Sequence, residues 1–291
     1  MSQGDDKQAA SPSLVPGLYI VATPIGNLED ITLRALRVLR AADLIACEDT
    51  RHTQKLLSHF EIKKPTVSYH EHNEAARSRE LLARIAAGER VALVSDAGTP
   101  GISDPGERII RAAIESGVPV ISVPGPSAFI SALVASGLRT DSFRFLGFLP
   151  SRAGERRSAL ERLRETIETL VFYEAPHRIL ETLSDLELVF GPERRVVIAR
   201  ELTKVHEELL RGTASDMRSV LTQREAIKGE MTIIVEGRMQ SEAVKPPQGL
   251  GQRMHELMEQ EQLEEKAALK QAAKEFGISK SEAYREWQRR K

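Results

Sequence analysis

The sequence predicts an α/β protein of two domains with a ligand cleft between them and a helical appendage at the C-terminus. Three observations predict it. Short β-branched runs alternate with segments of helical period before residue 140, a second group of strands follows Phe143, and the chain reads as helix after Lys245, Pro246, Pro247, Gln248 and Gly249 break the pattern.

The first domain is expected over residues 16–142. Its strands are predicted at Leu18–Ala22, Asp43–Cys47, Thr66–Tyr69, Val91–Ser95 and Val118–Val123, with helices such as Ile31–Arg40 and Asn73–Ala87 between them. The second domain, over residues 143–240, is expected to hold a mixed sheet. Its strands are predicted at Phe143–Leu149, Thr169–Tyr173, Arg195–Ala199, Glu208–Arg211 and Met231–Glu236, and its helices at Pro176–Phe190 and Ser215–Arg224. Residues 1–15 read as a disordered tail and residues 241–250 as a linker. In the appendage, residues 251–291, alanine pairs precede Phe276, Gly277, Ile278 and Ser279 before another helix, which is the pattern of a helix-turn-helix and equally of a helical hairpin docked on the body.

Composition narrows the function. A chain of 291 residues with 41% hydrophobic content supports two compact domains. No apolar run approaches the roughly 20 residues needed to cross a bilayer, and no signal-peptide pattern opens the chain, so a cytoplasmic location without membrane contact is expected. The single cysteine, Cys47, lies in an apolar run and reads as a small buried hydrophobe. Lys and Arg number 41 against 42 Asp and Glu, so any nucleic-acid contact must be local. Ser151–Arg164, with five arginines against two glutamates, and Lys280–Lys291, with five basic residues against two acidic, are the candidate phosphate contacts. No zinc site is expected from one cysteine and the loosely spaced His70 and His72.

Three loops join a predicted strand to a predicted helix, where open α/β sheets bind ligands. The first is Thr23, Pro24, Ile25, Gly26 and Asn27. The second runs from Ser95 to Gly106 and is dense in residues that fix or free the backbone; its Asp96 can meet a cation or accept from hydroxyls, or can cap local amides together with Asp104. The third is Pro124, Gly125, Pro126, Ser127 and Ala128, where Ser127 and free amides can meet a carboxylate or simply begin a helix. None is a dinucleotide fingerprint, and no Walker lysine follows.

Together these loops resemble those of the tetrapyrrole methylase superfamily. With Tyr19–Asn27, Glu48–Arg51, Gly147–Pro150, Phe172–Arg178, Ala199–His206 and Lys228–Thr232 added, the chain over about residues 16–240 is similar to the branch of that superfamily that methylates small-subunit ribosomal RNA, and the helical tail resembles that branch's C-terminal addition. Porphyrin-precursor enzymes usually carry Gly-x-Gly-Pro-Gly and Gly-Gly-Asp-Pro where this chain has Thr23-Pro24-Ile25-Gly26-Asn27 and Asp96-Ala97-Gly98-Thr99-Pro100-Gly101, which argues against a tetrapyrrole substrate.

The resemblance implies a tetrapyrrole-methylase-like fold with S-adenosyl-L-methionine in the interdomain cleft. It implies 2′-O-methylation of a cytidine ribose in the decoding region of 16S ribosomal RNA, within the small subunit, by a homodimer. It places cofactor contacts on Pro24, Ile25, Asp96, Ala97, Gly98, Thr99, Ser127, Ala128, Tyr173, Ala199 and Thr232. Polar residues at predicted strand ends are the candidates for a general base or for positioning the nucleotide: Glu48, Asp49, Arg51, Glu174, His177, Glu201 and Lys204, with His206 and Glu230 beside them. For each of these the plain alternative is a ring of salt bridges fixing the domains. Arg51 and Lys204 suit phosphate as fixed cations on loops. Two other functions remain open: the same fold acting on a different acceptor, and a ligand-sensing DNA-binding regulator built on the appendage. Nine basic and eight acidic residues from Gly251 to Lys291 weigh against the latter.

Overall fold

The computed structural model describes residues 14–238, 249–259 and 263–288. The expected tail up to residue 13 and most of the expected linker lie outside them. Contacts divide the chain after Arg238, and both sheets belong to the first unit.

The first sheet is parallel throughout. Its strands β1 (Gly17–Val21), β2 (Leu44–Cys47), β3 (Thr66–Ser68), β4 (Arg90–Val94) and β5 (Val120–Val123) lie in the order β3-β2-β4-β1-β5. Strands covered on both faces must be apolar at every position, and β1 and β2 are fully buried along their length. Leu18, Ile20, Val91 and Leu93 face one core, with Leu81, Ile85 and Ile109. Tyr19, Val21, Ala92, Val94 and Cys47 face the other, with Leu36 and Leu39. The covering helices are α1 (Leu33–Ala41), α2 (Thr50–His59), α3 (Glu74–Ala86) and α4 (Glu107–Glu115). Thr32 caps α1 by accepting from the Ala35 amide, and Asp49 caps α2 by accepting from the Arg51 amide. Cys47 is fully buried, as its apolar surroundings predicted.

Helix α5 (Ala128–Ser136) leaves the first sheet and packs on the second. Ala132 and Leu133 meet Val171, Val197, Ala199 and Ile234 in one core, and Arg211 donates to the Ala135 and Ser136 carbonyls at the end of the helix. The second sheet is formed by β6 (Phe143–Phe148), β7 (Thr169–Glu174), β8 (Arg195–Arg200), β9 (Glu208–Thr213) and β10 (Met231–Val235), in the order β6-β7-β10-β8-β9. It is mixed as expected: β6 and β7 are parallel and the other pairs antiparallel. Its opposite face is covered by α6 (Ala153–Glu161), α7 (Ile179–Phe190) and α8 (Ala214–Thr222) over Leu170, Phe172, Ile198 and Ile233.

The basic segment at the start of this half needs a correction. Arg156 is 1% exposed, with its Nε donating to Asp185 at 2.7 Å, and Arg157 donates to the other oxygen of the same carboxylate at 2.6 Å. Arg156 is therefore withdrawn from the surface to fasten α6 to α7, while Arg157, joined to the same carboxylate, stays 53% exposed.

The second unit consists of α9 (Leu250–Glu259), α10 (Glu265–Glu275) and α11 (Lys280–Gln288) around Met254, Leu257, Leu269 and Trp287. Gly277 turns the chain at φ +64°, and Ser279 and Glu282 cap α11 reciprocally. No helix among the described residues is long and apolar enough to cross a membrane.

Removing one partner of a buried ion pair leaves the other charge without compensation. Arg156→Ala is therefore expected to destabilise the first unit by about 3–5 kcal/mol, read as a lowered denaturant midpoint at unchanged slope.

Candidate active site

The carboxyl ends of the parallel strands carry the loops that sequence singled out. After β1, Thr23 pairs with Gly98 of the loop after β4: the Thr23 amide donates to the Gly98 carbonyl at 2.8 Å, and the Gly98 amide to the Thr23 carbonyl at 3.0 Å. Thr23 Oγ1 also donates to the Ser95 carbonyl at 3.1 Å. Gly98 needs φ +78° for this turn, and Ser103 further along adopts φ +59°, costly for a residue with a side chain.

The second sheet brings a matching edge. Because β10 runs antiparallel to β7 and β8, Met231 at its start lies opposite Glu174 and Arg200 at their ends. The turn after β8 places Glu201 at φ +50° and Thr203 at φ +65°. Three of the four non-glycine residues with positive φ among the described residues thus sit in these facing loops.

Between them is a cavity of about 280 Å³, close to the lower end of the roughly 300–1,000 Å³ usual for small-molecule sites. Ile25, Ala97, Gly98, Thr99, Ser127, Ala128, Tyr173, Ala199 and Thr232 all line it. Pro24 and Asp96 instead line a separate cavity of about 150 Å³ with Thr23, Leu28, His52, Thr53, Lys55, Leu56 and Ser95. Each of the two paired loops passes from one cavity to the other along its length, after Pro24 in the first and after Asp96 in the second. Sequence reasoning gave no cofactor contact to Ile102, Ser103, Asp104, Phe148, Leu202 or Met231, which also line the larger cavity. The glycine- and proline-rich loop already contained Asp104, and Phe148 and Leu202 lie within the Gly147–Pro150 and Ala199–His206 segments, whose side-chain directions only packing decides.

The electrostatics of the larger cavity are one-sided. No Lys, Arg or His is among its lining residues, and its acidic members are Asp104, Glu174 and Glu230. Glu174 is already engaged: its carboxylate accepts from the Ala175 amide, from Arg178 and, at 2.6 Å, from Thr182 Oγ1. That is the geometry of an anchor for the loop after β7. Glu230 accepts from Lys204 Nζ at 3.0 Å, which also donates to Glu201 at 2.9 Å. Burial pushes the Lys204 ammonium down, but the two carboxylates more than offset it and hold it above the usual lysine range. Glu201 is lowered by Lys204. Asp104 has no cationic partner among the described residues. Burial, Asp96 and Glu230 push its carboxyl up to about 6, against a hydrogen bond from Ser95.

Glu48, at the end of β2, lines neither cavity; burial and then Asp104 and Asp96 raise it. Asp49 is pulled down to about 2, first by the Arg51 side chain. Arg51 pairs with it at 3.0 Å while its side chain stays 88% exposed. His177 and His206 are exposed and outside both linings. No cluster of His, Cys, Asp and Glu able to hold a metal occurs among the described residues.

Two sheets with loops gathered on a shared edge around an open cavity are the architecture of the tetrapyrrole methylases. The family model described as tetrapyrrole (corrin/porphyrin) methylases matches residues 17–218. Among solved structures, the methyltransferase CobJ is 18% identical over 76% of this chain and 94% of its own, with a TM-score of 0.58. Uroporphyrin-III C-methyltransferase from Thermus thermophilus, complexed with S-adenosyl homocysteine, is 21% identical over 76% of this chain and 97% of its own, with a TM-score of 0.53. These likenesses concern the fold. Sequence relatives are nearer: the ribosomal RNA small subunit methyltransferase I of Halalkalibacterium halodurans is 49% identical over 92% of this chain and 93% of its own. The proteins of the same name from Xylella fastidiosa and Escherichia coli O157:H7 are each 46% identical over 92% of this chain, covering 98% and 93% of their own length. The chain belongs to the ribosomal RNA small subunit methyltransferase I family of the tetrapyrrole methylases.

Gly26 seals the first loop against the turn after β8, since a Cβ there would lie 2.4 Å from Lys204 Cγ and 2.9 Å from Thr203 Oγ1. Gly26→Val is expected to wedge the two loops apart at a cost of about 1–3 kcal/mol, read as a lowered midpoint of thermal unfolding.

Proposed function

We propose that this chain transfers a methyl group from S-adenosyl-L-methionine to the ribose 2′-hydroxyl of a cytidine in the decoding region of 16S ribosomal RNA. It works on the small ribosomal subunit in the cytoplasm, as a homodimer whose subunits each have two α/β domains, residues 16–142 and 143–240. The observation that carries the reading is the larger cavity, where Ala97, Gly98 and Thr99 stand with apolar side chains and the carboxylate of Asp104, with no cation in the lining. Such a surface fits a ligand that is itself cationic and repels a polyphosphate. Relatives at 46–49% identity bearing the ribosomal RNA methyltransferase name supply the acceptor.

The residues present fit the cofactor. Gly98, paired through its amide and carbonyl to Thr23, fixes the loop, Ile25, Ala128, Ala199 and Met231 offer an apolar slot for a ring, and Ser127, Thr232 and Asp104 offer polar anchors. When bound, S-adenosyl-L-methionine supplies an activated methyl group. The protein's part is alignment: holding an acceptor oxygen in line with that group contributes on the scale of about 7–11 kcal/mol at ideal geometry. Asp104 is placed to take the hydroxyl proton, because a carboxylate raised toward neutrality is a better base than one of ordinary strength. Glu174 and the Glu201–Lys204–Glu230 cluster hold the facing loops in place. Arg51, exposed at the start of α2, contacts the RNA backbone. The homodimer rests on α5, whose sequence carries no charge and whose Ile130 and Val134 are 41% and 68% exposed.

Asp104→Asn is expected to lower kcat by roughly 10²–10⁴-fold. The base acts only when ionised, so kcat/KM for the cofactor should climb as pH rises through about 6 and level off above it. A flat profile from pH 5 to 8 would exclude Asp104 as the base. Arg51→Ala is expected to weaken methylation of small subunits more than cofactor affinity; calorimetry showing an equal loss of both would refute that division.

A further inference from the structure

The two helical layers on the first sheet differ in charge. Helices α1 and α2 cover the core that holds Tyr19, Leu36, Leu39 and Leu57, and α3 and α4 cover the core that holds Leu81, Ile85 and Ile109. Each pair of helices carries five Lys or Arg, yet α3 and α4 add four Asp or Glu where α1 and α2 have none. The arginines of α3 and α4 are mostly engaged: Arg77 pairs with Glu80, Arg84 with Glu89 and Arg111 with Glu107. On α1 and α2, Arg51 pairs with Asp49, while Arg34, Arg37, Arg40 and Lys55 have no ion pair among the described residues. Arg34, Arg37 and Arg40 recur at three-residue spacing, so like charges stand as neighbours along α1. Arg40 donates to the Phe60 carbonyl at 3.3 Å, which sets the end of α1 beside the end of α2. Neighbouring cations that no carboxylate relieves repel one another, and an extended anion removes that repulsion.

We infer that the outer face of α1 and α2 carries the sugar-phosphate backbone of the RNA that flanks the target nucleotide. The inference rests on the reading of the substrate as ribosomal RNA. Both helices follow their strands directly, so both start at the carboxyl edge of the sheet, where the site loops lie. Arg51 stands in the first turn of α2 and Lys55 one turn further on, both exposed, which makes the cationic face continuous with that edge. The larger cavity has no cation in its lining and the chain as a whole has a net charge of -1, so phosphates must be met beside the cavity and by a local field. The three arginines of α1 present planar forks that match phosphate oxygens. Such contacts fix the register of the RNA and carry no base information, which leaves the choice of nucleotide to the loops. A count of charge along the sequence does not reveal this face, because on α1 the arginines are interleaved with Leu36, Val38 and Leu39, which turn to the core.

The test uses the full-length chain with small subunits lacking the methyl group and with protein-free 16S ribosomal RNA, affinity being measured against salt concentration. Arg34→Gln, Arg37→Gln and Arg40→Gln together should weaken binding to both by about tenfold or more and reduce the slope of log affinity against log salt by about two to three, since each phosphate contact contributes about 0.7–0.9. Lys55→Gln alone should reduce that slope by about 0.7–0.9. Arg79→Gln, Arg108→Gln and Arg111→Gln remove the same charge from the opposite layer and should leave RNA affinity within about twofold. Affinity for S-adenosylhomocysteine should stay within about twofold in every variant, because none of these residues lines the larger cavity. Equal losses in the two triple variants, or an unchanged salt slope in the α1 variant and in Lys55→Gln, overturns the surface and leaves the methyl-transfer reading standing. So does weakened binding to subunits with unaltered binding to RNA alone, which assigns the face to an acidic ribosomal protein. A wild type that binds neither preparation overturns both.

Discussion

The packing of α5 on the second sheet is the constraint on which the site depends. An α/β sheet presents its strand-end loops to whatever stands opposite, and here the helix that follows the last strand of the first sheet is part of the core of the second. Leu133 and Ala132 set against Val197 and Ile234 anchor the chain leaving the first sheet on the core of the second, and Arg211 ties the end of that helix to β9. With that helix anchored, the loops above need only short-range bonds to hold their spacing. They have them in the Glu174 anchor and in the Lys204 ion pairs.

A consequence of this arrangement is a cavity whose charges are neutralised unevenly. Two of its three acidic side chains meet a cation at their outer edge, and Asp104 does not. A lone carboxylate in a partly dry place is held toward its protonated form until something positive or a proton acceptor's task arrives. The backbone strain at Ser103, next to it, shows the loop held in a conformation that the surrounding contacts impose.

Much of the fold was legible because the strands are buried on both faces. Runs such as Leu18–Val21 and Val91–Val94 are apolar without interruption, so their predicted and observed limits differ by a residue or two. Loops at strand ends were legible for a similar reason, as glycine and proline mark them. Side-chain partners were not. Glu174 reads as a free carboxylate at a strand end until α7 brings Arg178 and Thr182 against it. Arg156 reads as part of a basic surface until Asp185 draws it into the interior. Pro24 and Asp96 stand beside Ile25 and Ala97 in sequence, yet the pairing of two distant loops sends them to the other side of a wall. Each of these outcomes is decided by a residue far along the chain.

That wall is a thin one. Two backbone hydrogen bonds, from Thr23 to Gly98 and back, join segments that otherwise belong to different strand-helix connections. Segments laced in this way cannot shift singly: moving either to admit a ligand must carry the other with it or break both bonds. Occupancy on the one side and shape on the other are thereby mechanically joined, and the stiffness of that joint is a property of main chain, beyond the reach of most side-chain replacements.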